Sequence, residues 1–162
     1  MELVNVNKQN IELTSKFAFE VFIDYYNDLI GNPQAMYMAN LFLSPKAIQE
    51  LIEDKAIFKL MIDENSEPIG FTEYQIQGDR LFLSKLYAHK DHRHQGVGKA
   101  MLLDCIEYAK KNNIHSIFLT VNKYNTDSYN IYLHEGFKVI DSVVNDIGQG
   151  YVMDDYIMQL DI

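Results

Sequence analysis

One short segment of the chain combines arginine and glycine in a spacing that suits phosphate binding. Arg93, Gly96 and Gly98 follow an apolar run at residues 81–88 and precede a helix-periodic run at residues 97–109. A strand that turns into a helix aims unpaired N–H donors and the positive end of the helix dipole at one point, which favours an anion. Glycine lets the backbone approach that anion closely because it has no Cβ. The segment predicts a diphosphate site formed by Arg93, His94, Gln95, Gly96, Val97, Gly98 and Lys99.

The spacing of these glycines excludes two common phosphate-binding motifs. A Walker A loop needs a glycine where Arg93 stands and a serine or threonine where Ala100 stands. A dinucleotide-binding fingerprint needs a third glycine at the position of Met101 and an acidic residue about twenty positions further on. An unrelated nucleotide-binding α/β domain that uses Gly96 and Gly98 stays open as an alternative, and it would bind ADP or ATP more tightly than coenzyme A.

The pattern Arg93-x-x-Gly96-x-Gly98 after a strand resembles the R/Q-x-x-G-x-G/A motif of the GNAT superfamily of N-acetyltransferases. Residues 119–137 resemble the other half of that family: a strand, an asparagine, a short helix with a tyrosine, and a final Gly-Phe pair. The resemblance covers roughly residues 68–160 by motif and the N-terminal third by element order. It implies acetyl-coenzyme A as cosubstrate. Residues 150–156 also resemble a bacterial branch of the superfamily that acetylates spermidine and spermine.

The resemblance gives roles to backbone groups and one asparagine outside the loop. The strands before and after the phosphate-binding helix would splay apart, with pantetheine in the gap. Main-chain groups of Leu86, Tyr87 and Ala88 would bind the pantetheine amides, and one donor among them would face the developing oxyanion. Asn125 would contact the cofactor, although capping the helix that follows is an equally good explanation.

Tyr132 matches the family tyrosine that protonates the departing thiolate. A phenol with a pKa of about 10 can give its proton to a thiolate of similar basicity without a strong environmental shift. Packing is the alternative, because Tyr129, Tyr132 and Leu133 form a helical face that is typical of a core.

The general base departs from the family pattern. Many members carry a glutamate on the strand before the loop, but the matching positions here are Phe82 and Ser84, and neither can accept a proton. A substrate ammonium must lose a proton before it attacks, directly or through water. Glu73 on the preceding strand is the first candidate, with a surface glutamate as the structural alternative. The further candidates are Tyr74, Glu20 and Asp24.

The charge of the chain limits the class of partner. The 162 residues carry a formal net charge of −9, which disfavours nucleic acid as the partner and favours a small cationic amine. Basic or protonatable groups nevertheless cluster around the loop: Lys85, His89, Lys90, His92, Arg93, His94 and Lys99. A metal site of His89, Asp91, His92 and His94 matches no usual ligand spacing, so no metal is predicted. The acidic residues near the C-terminus are expected to be solvated, or to attract a polycation: Asp146, Asp154 and Asp155.

These observations predict an N-acetyltransferase that transfers the acetyl group of acetyl-coenzyme A to a primary amine by direct attack in a ternary complex. A polyamine is the leading substrate class. The alternatives are acetylation of a protein N-terminus or lysine, and a non-catalytic GNAT-like module that binds acetyl-coenzyme A. No membrane span or leader is visible, so a cytoplasmic location is expected. Dimers are frequent in the family, but no interface is identified. The lone cysteine, Cys105, is expected to be a buried structural thiol.

The length and the apolar fraction of the chain predict a single domain, residues 1–162. Strands are predicted at residues 2–6, 56–62, 69–77, 81–88, 116–121, 137–144 and 151–160. Helices are predicted at residues 11–30, 45–54, 96–112 and 126–135, and residues 32–43 stay unassigned. The resemblance implies an α/β (α+β) fold of the GNAT type, with a mixed, mostly antiparallel sheet of six to seven strands and helices on both faces.

Overall fold

A computed structural model describes residues 1–162 and contains seven strands and five helices. The strands are β1 (Glu2–Asn5), β2 (Ile57–Ile62), β3 (Pro68–Gln77), β4 (Arg80–Ala88), β5 (Ser116–Asn122), β6 (Lys138–Gly148) and β7 (Tyr151–Asp161). The helices are α1 (Ile11–Ile30), α2 (Asn32–Leu43), α3 (Pro45–Glu53), α4 (Val97–Lys111) and α5 (Thr126–His134). A 3-10 turn, Lys90–His92, lies between β4 and α4.

The seven strands form one mixed sheet in the order β1-β2-β3-β4-β5-β7-β6. β1 pairs with β2, and β2 with β3, in antiparallel register. β5 and β6 both run antiparallel to β7. β4 and β5 are parallel, with Leu81 opposite Ile117 and Phe82 opposite Phe118. The predicted α/β fold with a mixed, mostly antiparallel sheet is confirmed.

The chain divides into two compact units, residues 1–75 with 84–105 and residues 76–83 with 106–162. β4 and α4 each contribute residues to both units. The single domain expected for residues 1–162 stays a prediction. None of the helices has the length and apolar character that crossing a membrane requires.

Helix α1 of the first unit buries one stripe of its side chains. On α1 the buried apolar residues Phe17, Ala18, Val21 and Phe22 recur at helical spacing. The N-terminus of α3 is capped, because the Ser44 side chain accepts a hydrogen bond from the N–H of Ala47 at 3.1 Å and a proline follows the cap.

The second unit contains β5, whose side chains alternate between buried and partly exposed positions. Ile117, Leu119 and Val121 are the buried set, as expected for a strand with one face on a core. Helix α5 ends before Gly136, whose φ of +100° is a conformation that favours glycine. The predicted elements of this unit are confirmed, with shifts of one to a few residues at their ends.

Two segments differ from the sequence prediction. The unassigned residues 32–43 form α2, which buries Ala35, Met38, Ala39 and Leu43 on one face. β6 runs to Gly148 rather than to residue 144. The extra residues of β6 are mostly polar and exposed, because β6 is the edge of the sheet, so no apolar alternation marks them.

Candidate active site

The β4–α4 loop holds backbone donors that the protein itself does not use. The N–H of Ala100, in the first turn of α4, donates to the carbonyl of Gly96, the residue before the helix, at 3.0 Å. The N–H groups of Gln95, Gly96, Val97 and Gly98 donate to no protein acceptor. These groups are the orphan donors of a helix N-terminus, where the helix dipole adds positive potential.

The backbone of this loop is shaped to surround an anion. His94 and Gly96 both have positive φ, 61° and 82°, in the turn that leads into α4. Turns of this kind make successive N–H groups converge on a concave surface. A Cβ on Gly96 would meet no atom within 4 Å, and one on Gly98 would meet only the Leu86 side chain at 3.6 Å. The backbone at both glycines is therefore open to close approach by a ligand.

Packing under the loop fixes where α4 begins. The side chain of Val97 is 2% exposed and packs with Met61, Ile69 and Met101. Gly70 on β3 makes this close packing possible, because a Cβ there would lie 3.0 Å from the Tyr87 carbonyl oxygen and 3.0 Å from Val97 Cγ1. The side chain of Val97 is therefore closed to a ligand, and only its backbone can be reached.

The cationic groups predicted around the loop differ in exposure and in the residues that they contact. Lys90 Nζ lies 3.6 Å from Asp24 Oδ1 on α1, and the Arg93 guanidinium lies 5.2 Å from the centre of the Tyr25 ring. His94 and Lys99 are exposed. Lys85 is nearly buried, so its side chain belongs to the protein interior and not to the surface of the loop.

Sequence reasoning missed the aromatic cluster that α1 places against the end of β4. The rings of Tyr25 and Tyr26 lie 5.6 and 6.0 Å from the ring of Tyr87, and the Tyr26 and Tyr87 hydroxyls are 2.9 Å apart. Phe22 and Phe71 pack against the same Tyr87 ring. Tyr26 and Tyr87 are 61 residues apart in the chain, and no local pattern signals such a contact.

Glu73, the predicted general base, lies inside the first unit. The residue is only 1% exposed, so the alternative of a surface glutamate is wrong. Its Oε1 accepts a hydrogen bond from Lys85 Nζ at 2.7 Å, and Lys85 Nζ also lies 3.3 Å from Ser84 Oγ. This ion pair keeps a charged carboxylate in the interior. The role of Glu73 as the base stays a prediction.

The other candidates for the base have partners or face solvent. The Tyr74 hydroxyl donates to Asp104 Oδ2 at 2.6 Å, and Lys59 Nζ donates to both carboxylate oxygens of Asp104 at 2.9 Å. Asp24 is paired with Lys90, and Glu20 is exposed.

The second unit contains the predicted cofactor-binding asparagine and the predicted acid. Asn125 Oδ1 accepts from the N–H of Ser128 at 3.2 Å, so the capping role of Asn125 is confirmed. The Tyr132 ring lies 5.4 Å from the buried Phe137 ring at an angle of 66°. Leu133 is 42% exposed, so the helical face that includes Tyr132 is only partly a core face. Cofactor contact by Asn125 and proton donation by Tyr132 stay predictions.

Comparison with known proteins agrees with this geometry. Residues 20–137 match the model of the Acetyltransferase (GNAT) family. The chain belongs to this family. The predicted family and the predicted cosubstrate, acetyl-coenzyme A, are thereby confirmed, and the prediction of an acyltransferase is confirmed at the level of the family. The alternative of an unrelated nucleotide-binding domain is wrong.

One curated relative of this GNAT chain is also an acetyltransferase. A spermidine N(1)-acetyltransferase of Thermoplasma acidophilum is 30% identical over 100 residues, which are 60% of this chain and 62% of the relative. The chain thus spans less than two thirds of that curated relative.

Solved structures share the fold. The PaiA N-acetyltransferase of Thermoplasma acidophilum, crystallised with coenzyme A, superposes with a TM-score of 0.84 at 23% identity, covering 99% of this chain and 98% of the other. A ribosomal-protein-alanine N-acetyltransferase of Brucella melitensis gives a TM-score of 0.71 at 16% identity, with 100% of both chains covered.

The GNAT chain holds a buried acidic residue that sequence reasoning expected in solvent. Asp155 on β7 is 3% exposed, and burial together with the neighbouring charge of Asp154 raises the pKa of Asp155 from 3.8 to about 6. Lys123 Nζ forms an ion pair with Asp154, and it lies 2.9 Å from Asp154 Oδ1. Asp155 is therefore left without a close cation.

Cys105 in the GNAT chain is fully buried, as expected for a structural thiol. Burial and the adjacent Asp104 raise the pKa of Cys105 to about 12, which keeps the thiol protonated and unreactive. The structure gathers no group of three or more histidine, cysteine, aspartate or glutamate side chains that could hold a metal ion.

Proposed function

We propose that this chain transfers the acetyl group of acetyl-coenzyme A to a primary amine of a polyamine, by direct attack in a ternary complex. The observation that carries the proposal is the set of unused N–H donors at residues 95–98, on the open side of a helix N-terminus. A diphosphate satisfies such donors and gains from the helix dipole. Membership of the GNAT family supplies the chemistry.

The loop and the end of β4 have the binding role in this proposal. N–H groups of Gln95 to Gly98 donate to the diphosphate, and the Arg93 guanidinium adds charge-assisted hydrogen bonds. Main-chain groups of Leu86 to Ala88 bind the pantetheine amides and fix the thioester. Asn125 adds a contact to the cofactor besides its capping of α5. The fixed backbone donors cost little reorganisation when charge develops on the carbonyl oxygen.

Proton transfers and two bond changes complete the reaction. The substrate ammonium loses one proton to Glu73, directly or through water, and the neutral amine attacks the acetyl carbonyl carbon. The carbon–nitrogen bond forms, the nitrogen of the tetrahedral adduct gives its second proton to solvent, and the carbon–sulfur bond breaks. The Tyr132 phenol then gives its proton to the leaving sulfur, and the two side chains return to their starting states through solvent.

The charge of the chain supports a polycation as the acceptor. A formal net charge of −9 raises the local concentration of a cationic amine and speeds its encounter with the protein. The 30% identity to a spermidine N(1)-acetyltransferase supports the same substrate class. The cytoplasmic location and a homodimer stay predictions from the sequence.

A thiol-release assay with a panel of acceptors tests the proposal. The panel contains spermidine, spermine, short diamines, lysine and peptides with free N-termini. We expect the polyamines to accelerate thiol release most strongly. Peptides as the best acceptors would contradict the polyamine assignment, and binding of coenzyme A without turnover on any amine would contradict catalysis.

Tyr132→Phe tests the acid directly. The variant keeps the ring that packs on Phe137, so we expect unchanged binding of coenzyme A and a fall in kcat of about 100-fold or more, since a positioned acid contributes at least that much. Tyr129→Phe, one turn earlier on α5, is the matched control, because its ring packs on Tyr156. Equal rates for Tyr132→Phe and the wild type would remove Tyr132 from the mechanism.

A further inference from the structure

Arg93 is the loop arginine expected to contact the diphosphate, and it lies over an aromatic ring. Its guanidinium carbon is 5.2 Å from the centre of the Tyr25 ring on α1. Arg93 itself is an exposed residue of a turn, where a long side chain ordinarily samples many rotamers. Contact with a ring face removes much of that freedom, and cation–π attraction stabilises the arrangement.

The ring of Tyr25 is itself held in a fixed position. It packs edge to face against Tyr26 at 5.0 Å and against Tyr87 at 5.6 Å. Tyr26 and Tyr87 are joined through their hydroxyls at 2.9 Å. Next to Tyr25 on the helix, Asp24 holds Lys90 at 3.6 Å. The last turns of α1 thus contact two cations of the phosphate-binding segment.

Stacking of this kind suits a phosphate-binding arginine. A ring that covers one face of the planar guanidinium leaves the N–H groups around its edge available, and those groups bind phosphate oxygens in pairs. Lysine at the same position could not present such a fork. The geometry also reduces the side-chain entropy that Arg93 loses when the ligand arrives.

We propose that Tyr25 is a positioning residue, which holds the Arg93 guanidinium in place for the diphosphate of acetyl-coenzyme A. The inference rests on the proposed function, because it needs the diphosphate at the β4–α4 loop. It adds a residue from α1 that acts only through Arg93 and touches no reacting atom.

Binding measurements on the full chain separate this role from a general structural one. Calorimetry compares coenzyme A with pantetheine, which lacks the diphosphate. We expect Tyr25→Leu to weaken coenzyme A binding about five- to tenfold, the size of an exposed to partly buried cation–π contact, and to leave pantetheine binding within about twofold. Tyr25→Phe keeps the ring and should bind coenzyme A like the wild type.

A double-mutant cycle shows whether Tyr25 acts through Arg93. In an Arg93→Gln background, Tyr25→Leu should have no further effect on coenzyme A binding. Phe118→Leu is the matched control, because Phe118 stacks with the other arginine, Arg80, at 4.1 Å. The Phe118→Leu variant should leave the ratio of the Kd for coenzyme A to the Kd for pantetheine unchanged.

The outcomes divide cleanly between the two proposals. A wild-type chain that does not bind coenzyme A defeats the proposed function. A wild-type chain that binds it, with Tyr25→Leu unchanged, defeats the positioning role alone. Equal weakening of coenzyme A and pantetheine, or additive effects of the Tyr25 and Arg93 substitutions, would also overturn the positioning role.

Discussion

Each of the two units of the chain buries one carboxylate, and only one of the two carboxylates is paired with a cation. In the first unit Glu73 is 1% exposed and is joined to Lys85 at 2.7 Å. In the second unit Asp155 is 3% exposed, and the only cation that acts on it, Lys123, is bound to Asp154 instead. The first carboxylate is compensated by a partner on the neighbouring strand, and the second is not.

The comparison shows that burial alone does not decide the state of an acidic side chain. A buried charge is tolerated when an opposite charge and hydrogen bonds replace water, as at Glu73. Without them the charged form is disfavoured, as the raised pKa of Asp155 shows. The Asp155 carboxylate of the second unit therefore titrates near the physiological pH range.

Removing the partner of Glu73 should have the largest effect. Lys85→Met leaves a buried carboxylate uncompensated, and we expect a loss of about 3–5 kcal/mol in the free energy of unfolding at pH 8. Urea unfolding of the variant and the wild type at pH 8 measures the loss.

The double variant Lys85→Met/Glu73→Met is the control for that experiment. Replacement of both partners by apolar side chains should recover most of the lost stability. A double variant as unstable as Lys85→Met would show that packing, and not the unpaired charge, causes the loss.

Asp155→Asn should have an effect of the opposite sign. A pKa of about 6 in the folded chain against 3.8 means that the folded state holds more protons between these values, so stability falls as pH rises through that window. Asparagine removes the charge, and we expect a gain of about 1–3 kcal/mol at pH 8 that disappears near pH 4. The control Glu107→Gln, at an exposed position, should leave the free energy of unfolding unchanged at both pH values. A gain that is equal at both pH values would refute the electrostatic explanation.

Tyr74→Phe should have the smallest effect. Asp104 is an intermediate case, because it accepts from Lys59 and from the Tyr74 hydroxyl and is partly exposed. Loss of the hydroxyl removes one charge-assisted hydrogen bond, while Lys59 still compensates the carboxylate. We expect a loss of about 1.5 kcal/mol in urea unfolding. Tyr124→Phe, on an exposed ring, is the control, and a comparable loss there would discredit the interpretation.

The parts of the molecule that could be predicted from sequence are those with a local signal. Arg93, Gly96 and Gly98 lie within six residues between a strand and a helix, so their spacing alone indicates an anion site. Capping of α5 by Asn125 follows from residue type and position. Strand and helix periodicity gave most element bounds, except at α2 and in the polar end of β6.

Contacts between distant residues could not be predicted. The stacking of Arg93 on Tyr25 and the pairing of Lys85 with Glu73 depend on how α1, β3 and β4 pack together. The burial of Asp155 was missed for the same reason, since charged and polar residues near the C-terminus are typical of a solvated surface. The sequence contains each residue type but not the distances between them.

Gly70 sets how near helix and sheet can come under the β4–α4 loop. A Cβ on residue 70 would lie 3.0 Å from Val97 Cγ1 in the first turn of α4 and 3.0 Å from the Tyr87 carbonyl oxygen, so this close packing requires a residue without a side chain. The position at which α4 begins thus depends on core packing as well as on the loop residues. A larger residue at position 70 would force Val97 or the Tyr87 carbonyl to move, and the start of α4 would shift with them.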